Sequence, residues 1–135
     1  DLAWLEEPLP AEDVAGHRQL REHTTIPVAV GESMYHLSQF REYLEQGACS
    51  IVQPDVARIG GITPWLKVAH LAEGFGVPVC PHFLMELHVS LCAGVPNAAW
   101  VEYIRNSTTS PPAASGWRVA WPAGRLNSRS CRAAA

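Results

Sequence analysis

The sequence predicts a parallel α/β fold, and three observations carry the prediction. Short apolar runs stand at Leu2–Leu5, Val28–Val30, Ile51–Gln53, Val77–Cys80 and Trp100–Val101, separated by longer amphipathic stretches. The runs are short and mostly apolar throughout rather than strictly alternating, which suits strands covered on both faces. Each is closed by an ionisable side chain, in turn Glu6, Glu32, Asp55, His82 and Glu102, at intervals of 26, 23, 27 and 20 residues.

Taken in order, the segments between the runs read as helices at 12–22, 36–46, 63–75 and 86–95. Thr63 is the expected N-cap of the third, with Pro64 in the first helical position, where its missing N–H costs nothing. Gly47 and Gly76 stand where the second and third helices should stop, since glycine readily takes the left-handed conformation that ends a helix. Gly60 and Gly61 read as a tight loop opening the third helix; two glycines alone are a weak phosphate-binding signal.

Composition divides the 135 residues in two. Up to residue 104 there are thirteen acids against five bases, a net charge of −8. From 105 to 135 there are five arginines and no acid, and 22 of the 31 residues are Ala, Ser, Arg, Pro or Gly. The first part, 1–104, is expected to be the folded domain. The tail, 105–135, is expected to be irregular and disordered, or the product of a GC-rich frame read out of register. Trp117, Val119 and Trp121 are its one candidate strand. Such a basic tail also admits a nucleic-acid arm as a rival reading. The overall charge of −3 gives no electrostatic case for nucleic acid or an acidic membrane as partner. No apolar run approaches the roughly 18 residues of a membrane span. Neither an initiating Met nor a basic leader is visible. Cys49, Cys80, Cys92 and Cys131 lack CxxC spacing and are expected to be reduced thiols of a cytoplasmic protein.

In parallel α/β folds the carboxyl ends of the strands form the functional rim. Five successive ionisable ends imply four carboxylates and one imidazole facing a common mouth. Carboxylates gathered so closely repel unless a cation neutralises them, and an oxygen donor set favours Mg²⁺ or Mn²⁺ over zinc.

The local motifs are more specific. Trp4-Leu5-Glu6-Glu7-Pro8-Leu9, Val30-Gly31-Glu32, Gln53-Pro54-Asp55-Val56-Ala57-Arg58-Ile59-Gly60-Gly61 and Pro81-His82 follow in that order. Together they closely resemble the mandelate racemase/muconate lactonizing enzyme family of the enolase superfamily, from about Leu2 to Ile104. The resemblance implies the C-terminal part of a modified TIM barrel, (β/α)₇β, with about five βα units. By position it implies Mg²⁺ ligation by Glu6 and Glu32, and an Asp55–His82 catalytic dyad of the mandelate-racemase-like subgroup. Glu102 becomes the acid that hydrogen-bonds the intermediate. Arg58 is a possible substrate contact or the partner of a neighbouring acid, and Glu7 takes a structural part. His17, His23, His36, His70 and His88, on or beside helices, are read as solvated or packing residues.

Those roles agree with the chemistry. The proton alpha to a carboxylate is very weakly acidic, and a positioned base contributes only about 10²–10⁴-fold. The enediolate charge therefore needs a Lewis acid, and a histidine base working with Mg²⁺ is a known solution of this superfamily. Asp55 beside His82 would fix the imidazole tautomer. The expected function is that of an acid-sugar dehydratase, with racemisation or epimerisation of a 2-hydroxy acid as the alternative. Muconate-type cycloisomerisation is disfavoured, because its base in this part of the barrel is a lysine. The small-molecule carboxylate is the only partner expected, beyond a homo-oligomeric assembly of the complete enzyme. With five of eight strands and without a third acidic ligand, a lysine-bearing strand or a capping domain, the isolated chain is expected to be an inactive truncated product.

Overall fold

The computed structural model describes residues 2–103 and the backbone of 119–122. In chain order the elements are β1 (Leu5–Glu6), α1 (Val14–His23), β2 (Val28–Val30), α2 (Leu37–Glu45), β3 (Ile51–Val52), α3 (Ile62–Gly74), α4 (Met85–Ala93), β4 (Trp100–Tyr103) and β5 (Val119–Pro122). Strands β1, β2 and β3 pair side by side and parallel, with Leu5 opposite Val28 and Ala29 opposite Ile51. Single parallel bridges, Val52 to Val79 and Val79 to Ala98, carry the same surface on towards β4. Five strand positions thus lie in sequence order with helices between them, which is the βα arrangement the sequence predicts.

The run expected as a strand at Val77–Cys80 is reduced to the bridge at Val79. Pro78 and Pro81 flank it, and proline donates nothing to a ladder. The remaining donors are used: Val79 N–H reaches the Asn97 carbonyl and Cys80 N–H the Val52 carbonyl, each at 2.9 Å. Conversely, β4 runs through Tyr103, so Glu102 sits inside the strand rather than just beyond it. It pairs antiparallel with β5, where Trp100 lies opposite Pro122. The expected strand around Val119 and Trp121 is therefore present; the other expectations for the tail, and Cys131, lie outside the described residues.

Side chains alternate across the sheet. Val28, Val30, Val52 and Val79 face the helices, packing with Phe40, Tyr43, Trp65, Val68 and Ala72 in the main core. Ala29, Ile51 and Cys80 face the other way and form a small cluster with Trp4. Both faces are apolar, as a parallel sheet requires.

Helix ends follow local chemistry. Asp13 caps α1 by accepting the Gly16 N–H at 2.8 Å. Gly47 and Gly76, at φ +61° and +67°, close α2 and α3 as expected. In each case the next residue donates back into the last turn, Ala48 to Tyr43 and Val77 to Ala72, both at 2.9 Å. The N-cap of α3 is Gly61, not Thr63, which falls inside the first turn. The paired glycines supply φ values of +95° and +114° that bring the chain into the helix two residues earlier than a threonine cap would. Among the described residues no helix is long and apolar enough to cross a membrane.

Candidate active site

The inner-facing residues of successive strands lead to the same rim. Ile51 lies in the inner cluster, and two-residue periodicity carries its face through Gln53 to Asp55; likewise Cys80 leads to His82 and Trp4 to Glu6. Val101 belongs to the helix-side core, so Glu102 faces inward.

The rim brings His82, Asp55 and Glu32 together. His82 Nδ1 lies 3.1 Å from Asp55 Oδ2, and its Nε2 lies 3.4 Å from Glu32 Oε2. Both dyad members are buried. The other oxygen of Asp55 accepts the backbone N–H groups of Ala57 (2.8 Å) and Arg58 (3.2 Å). Burial by itself would raise the Asp55 pKa, but the His82 hydrogen bond and these two N–H donors outweigh it and hold the carboxyl below its ordinary value. Arg58 donates to the Glu32 backbone carbonyl and sits 4.0 Å from Asp55 Oδ2, so its guanidinium spans two strand ends.

Glu7 holds the loop that carries Glu32. Its Oε1 accepts the N–H groups of Gly31 (3.1 Å) and Ser33 (3.0 Å), and its Oε2 accepts the Ser33 hydroxyl at 2.6 Å. The residues on either side of Glu32 are thus fixed by one carboxylate. Glu7 does this from φ +36°, an unusual conformation for a residue with a side chain. Gly31 permits close approach to β3: a Cβ there would lie 2.8 Å from the Gln53 nitrogen.

Glu6, at the end of β1, accepts the Trp4 indole N–H at 3.3 Å. Glu102 is 3% exposed and accepts the Phe83 N–H at 2.7 Å, which ties β4 to the residue after His82. Phe83 has φ +58°. Gln53 is fully buried, and neither end of its amide finds a protein partner among the described residues.

Glu6 and Glu32 offer hard carboxylate oxygens at the mouth of a parallel sheet, a donor chemistry that fits Mg²⁺. Among the described residues no three His, Cys, Asp or Glu side chains form a cluster able to hold a metal. His23, His36 and His70 are exposed, whereas His17 and His88 are fully buried. His88 and Trp65 touch the backbone around the dyad, and sequence reading gave neither a place there. The available signal was an imidazole flanked by Leu87 and Val89 in a mostly apolar helix.

Comparison with known proteins shows the family. Residues 1–125 match the model of the family described as enolase C-terminal domain-like. The chain is 41% identical over 103 residues to L-talarate/galactarate dehydratase of Salmonella typhimurium, covering 76% of this chain and 26% of that protein. The solved L-talarate dehydratase from Polaromonas sp. JS666, complexed with Mg and L-glucarate, superposes with a TM-score of 0.72 at 44% identity, over 76% of this chain and 28% of that one. A racemase from Streptomyces coelicolor with bound magnesium superposes with a TM-score of 0.73 at 33% identity, over 75% of this chain and 30% of that one. The chain therefore spans about a quarter of the length of the curated dehydratase it matches, and it aligns with the C-terminal barrel part of such enzymes.

Proposed function

Because the chain belongs to the enolase C-terminal domain-like family, we propose that it forms the histidine-bearing side of the active site in a Mg²⁺-dependent acid-sugar dehydratase. The observation that carries this reading is the imidazole of His82, held by Asp55 at 3.1 Å and facing Glu32 at 3.4 Å.

In this reading His82 Nε2 is the base that takes the proton alpha to the substrate carboxylate. Asp55 accepts the Nδ1–H and so keeps the Nε2 lone pair directed at the mouth. Dehydration removes that proton and the neighbouring β-hydroxyl as one water, and His82 can return its proton to the departing oxygen. Glu6 and Glu32 would hold the Mg²⁺ with donors from outside this chain, and the ion would supply Lewis-acid stabilisation of charge developing on the substrate carboxylate. Glu102 would be the acid that hydrogen-bonds the intermediate carrying that charge. Arg58 would hold the Glu32 backbone through the Glu32 carbonyl, with its other N–H donors left to meet the substrate.

A racemase or epimerase is the second reading, favoured by the superposition on the Streptomyces coelicolor racemase. Both reactions begin with the same proton transfer and diverge at departure of the hydroxyl. The test uses the complete enzyme with a panel of acid sugars and Mg²⁺, following loss of water and solvent-deuterium entry at the α-carbon. His82→Asn should lower turnover by at least about 10²-fold while Mg²⁺ affinity is retained. Normal turnover by that variant, or a loss explained wholly by metal affinity, overturns the assignment.

A further inference from the structure

His88 lies on α4, away from the mouth, yet its ring touches the chain directly after both members of the dyad. Its Nε2 accepts the N–H of Val56, the residue following Asp55, at 3.1 Å. Its Nδ1 lies 3.1 Å from the carbonyl of Phe83, the residue following His82. The Val56 N–H can only donate, so Nε2 must be the acceptor and the proton must sit on Nδ1, which donates to Phe83. One neutral imidazole therefore spans two strand ends that are 27 residues apart in sequence. Trp65 completes the arrangement. It stacks on His88 with ring centroids 6.0 Å apart, and its indole N–H donates to the carbonyl of Pro54, just before Asp55, at 3.1 Å. Asp55 is thus held on both sides through its backbone.

We infer that His88 is a positioning residue that sets the separation of Asp55 and His82, and that without it the 3.1 Å contact between them is lost. The inference rests on the dyad reading above, but concerns its construction rather than its chemistry. Phe83 explains why a clamp is needed. Its φ of +58° is unfavourable for a residue with a side chain, so the segment after His82 has a local incentive to relax. Its peptide groups are restrained from both directions, by Glu102 at the N–H and His88 at the carbonyl. Releasing the carbonyl lets Phe83 relax and swings His82 with it. A leucine at position 88 fills comparable space and bonds neither partner.

The test reads the imidazole of His82 by NMR in the ¹⁵N-labelled full chain, which needs neither metal nor substrate. The Nδ1–H proton of His82, protected by its bond to Asp55, should be a distinct and slowly exchanging signal. His88→Leu should abolish that signal while backbone dispersion is kept, and His88→Gln, whose amide can both accept and donate, should restore it at least in part. Leu44→Ala, in the helix-side core, serves as a control that lowers stability without moving His82. In the complete enzyme His88→Leu should lower kcat by about 10-fold or more, with KM little changed, a loss bounded above by the roughly 10²–10⁴-fold that a positioned base contributes. A folded His88→Leu chain with the His82 signal unchanged overturns the inference. If that variant does not fold, His88→Asn decides: its shorter amide reaches one partner only, so retention of the full His82 signal overturns the inference and loss supports it. An inactive complete enzyme whose His82 signal still responds to His88 would instead refute the proposed function alone.

Discussion

His82 and Asp55, which close successive strand positions, meet at 3.1 Å through Nδ1 and Oδ2. In the proposed mechanism this contact decides which imidazole nitrogen is left for chemistry. Asp55→Asn should disturb that choice, because the amide can present an N–H to Nδ1 and favour the proton on Nε2 instead. In the complete enzyme the expected loss of turnover is about 10²-fold or more, and an unchanged rate would show that tautomer control is not needed.

His88 makes stability sensitive to mild acid. Burial pushes its imidazole below the ordinary histidine value of 6.5, and the bond to Phe83 only partly opposes this. The unfolded chain therefore binds a proton at a pH where the folded chain does not. Stability is complete above about 6.5 and falls as pH drops from there towards the folded-state value. The slope from this one group is at most about 1.4 kcal/mol per pH unit. Asp55 acts in the same direction but lower, its contribution being lost as pH falls below its ordinary value of 3.8 towards the depressed folded value. Urea unfolding between pH 7.5 and 5 should show the first effect, and His88→Gln should flatten it.

Glu7→Ala tests the loop that carries Glu32. Removing the carboxylate leaves the Gly31 and Ser33 N–H groups and the Ser33 hydroxyl without their acceptor. The expected destabilisation is about 2–3 kcal/mol by denaturant titration. Glu7→Gln, which keeps one carbonyl oxygen, should lose less, and equal losses would mean that charge rather than hydrogen bonding matters.

Gly31→Ala should be more damaging than its size suggests. The new Cβ would meet the Gln53 nitrogen and the Phe40 ring at 2.8 Å, from a φ of +142° that residues with side chains rarely adopt. Overpacking and backbone strain together should cost about 3 kcal/mol or more. A midpoint within experimental error of the parent chain would contradict this account of the close approach.

Cys49, Cys80 and Cys92 are buried free thiols whose pKa values burial pushes up to about 12. The thiolate is the reactive form, so alkylation at pH 7.5 should be slow in the folded chain and fast in urea. Mass spectrometry of iodoacetamide adducts distinguishes these three sites; rapid native labelling at any of them would mean that the core opens locally.

The rim was legible in the sequence because a strand end is a local event. Glu6, Glu32, Asp55 and His82 each follow a short apolar run, and the run alone says where the next polar side chain will emerge. Gly47 and Gly76 were legible for the same reason, since one residue type answers one backbone requirement. What stayed hidden depends on contacts between distant segments. His88 reads as packing until α4 is docked over Val56 and Phe83, and Trp65 reads as core until its indole N–H is found on Pro54. The apolar run Val77–Cys80 reads as a strand, yet Pro78 and Pro81 remove two ladder donors and leave single bridges at Val79. Thr63 reads as a cap, whereas two consecutive glycines at positive φ start the helix without a side-chain cap.

The hydrogen bonds that shape the dyad have a consequence for how such a site can change over generations. Pro54, Asp55, Val56, Trp65, His82, Phe83, His88 and Glu102 all fall within a span of 49 consecutive positions. In the proposed reading, the base, the residue that orients it, its backbone clamp and the neighbouring acid are therefore inherited on one short stretch of gene. A recombination event near Gly47, between α2 and β3, would transfer them as a working unit from one homologue to another. What the recipient must supply includes the carboxylate of Glu6 and that at the position of Glu32, where His82 and Arg58 reach back across the junction. Under that proposal, exchange of this module would let a lineage vary substrate recognition elsewhere in the protein while keeping the proton-transfer groups together.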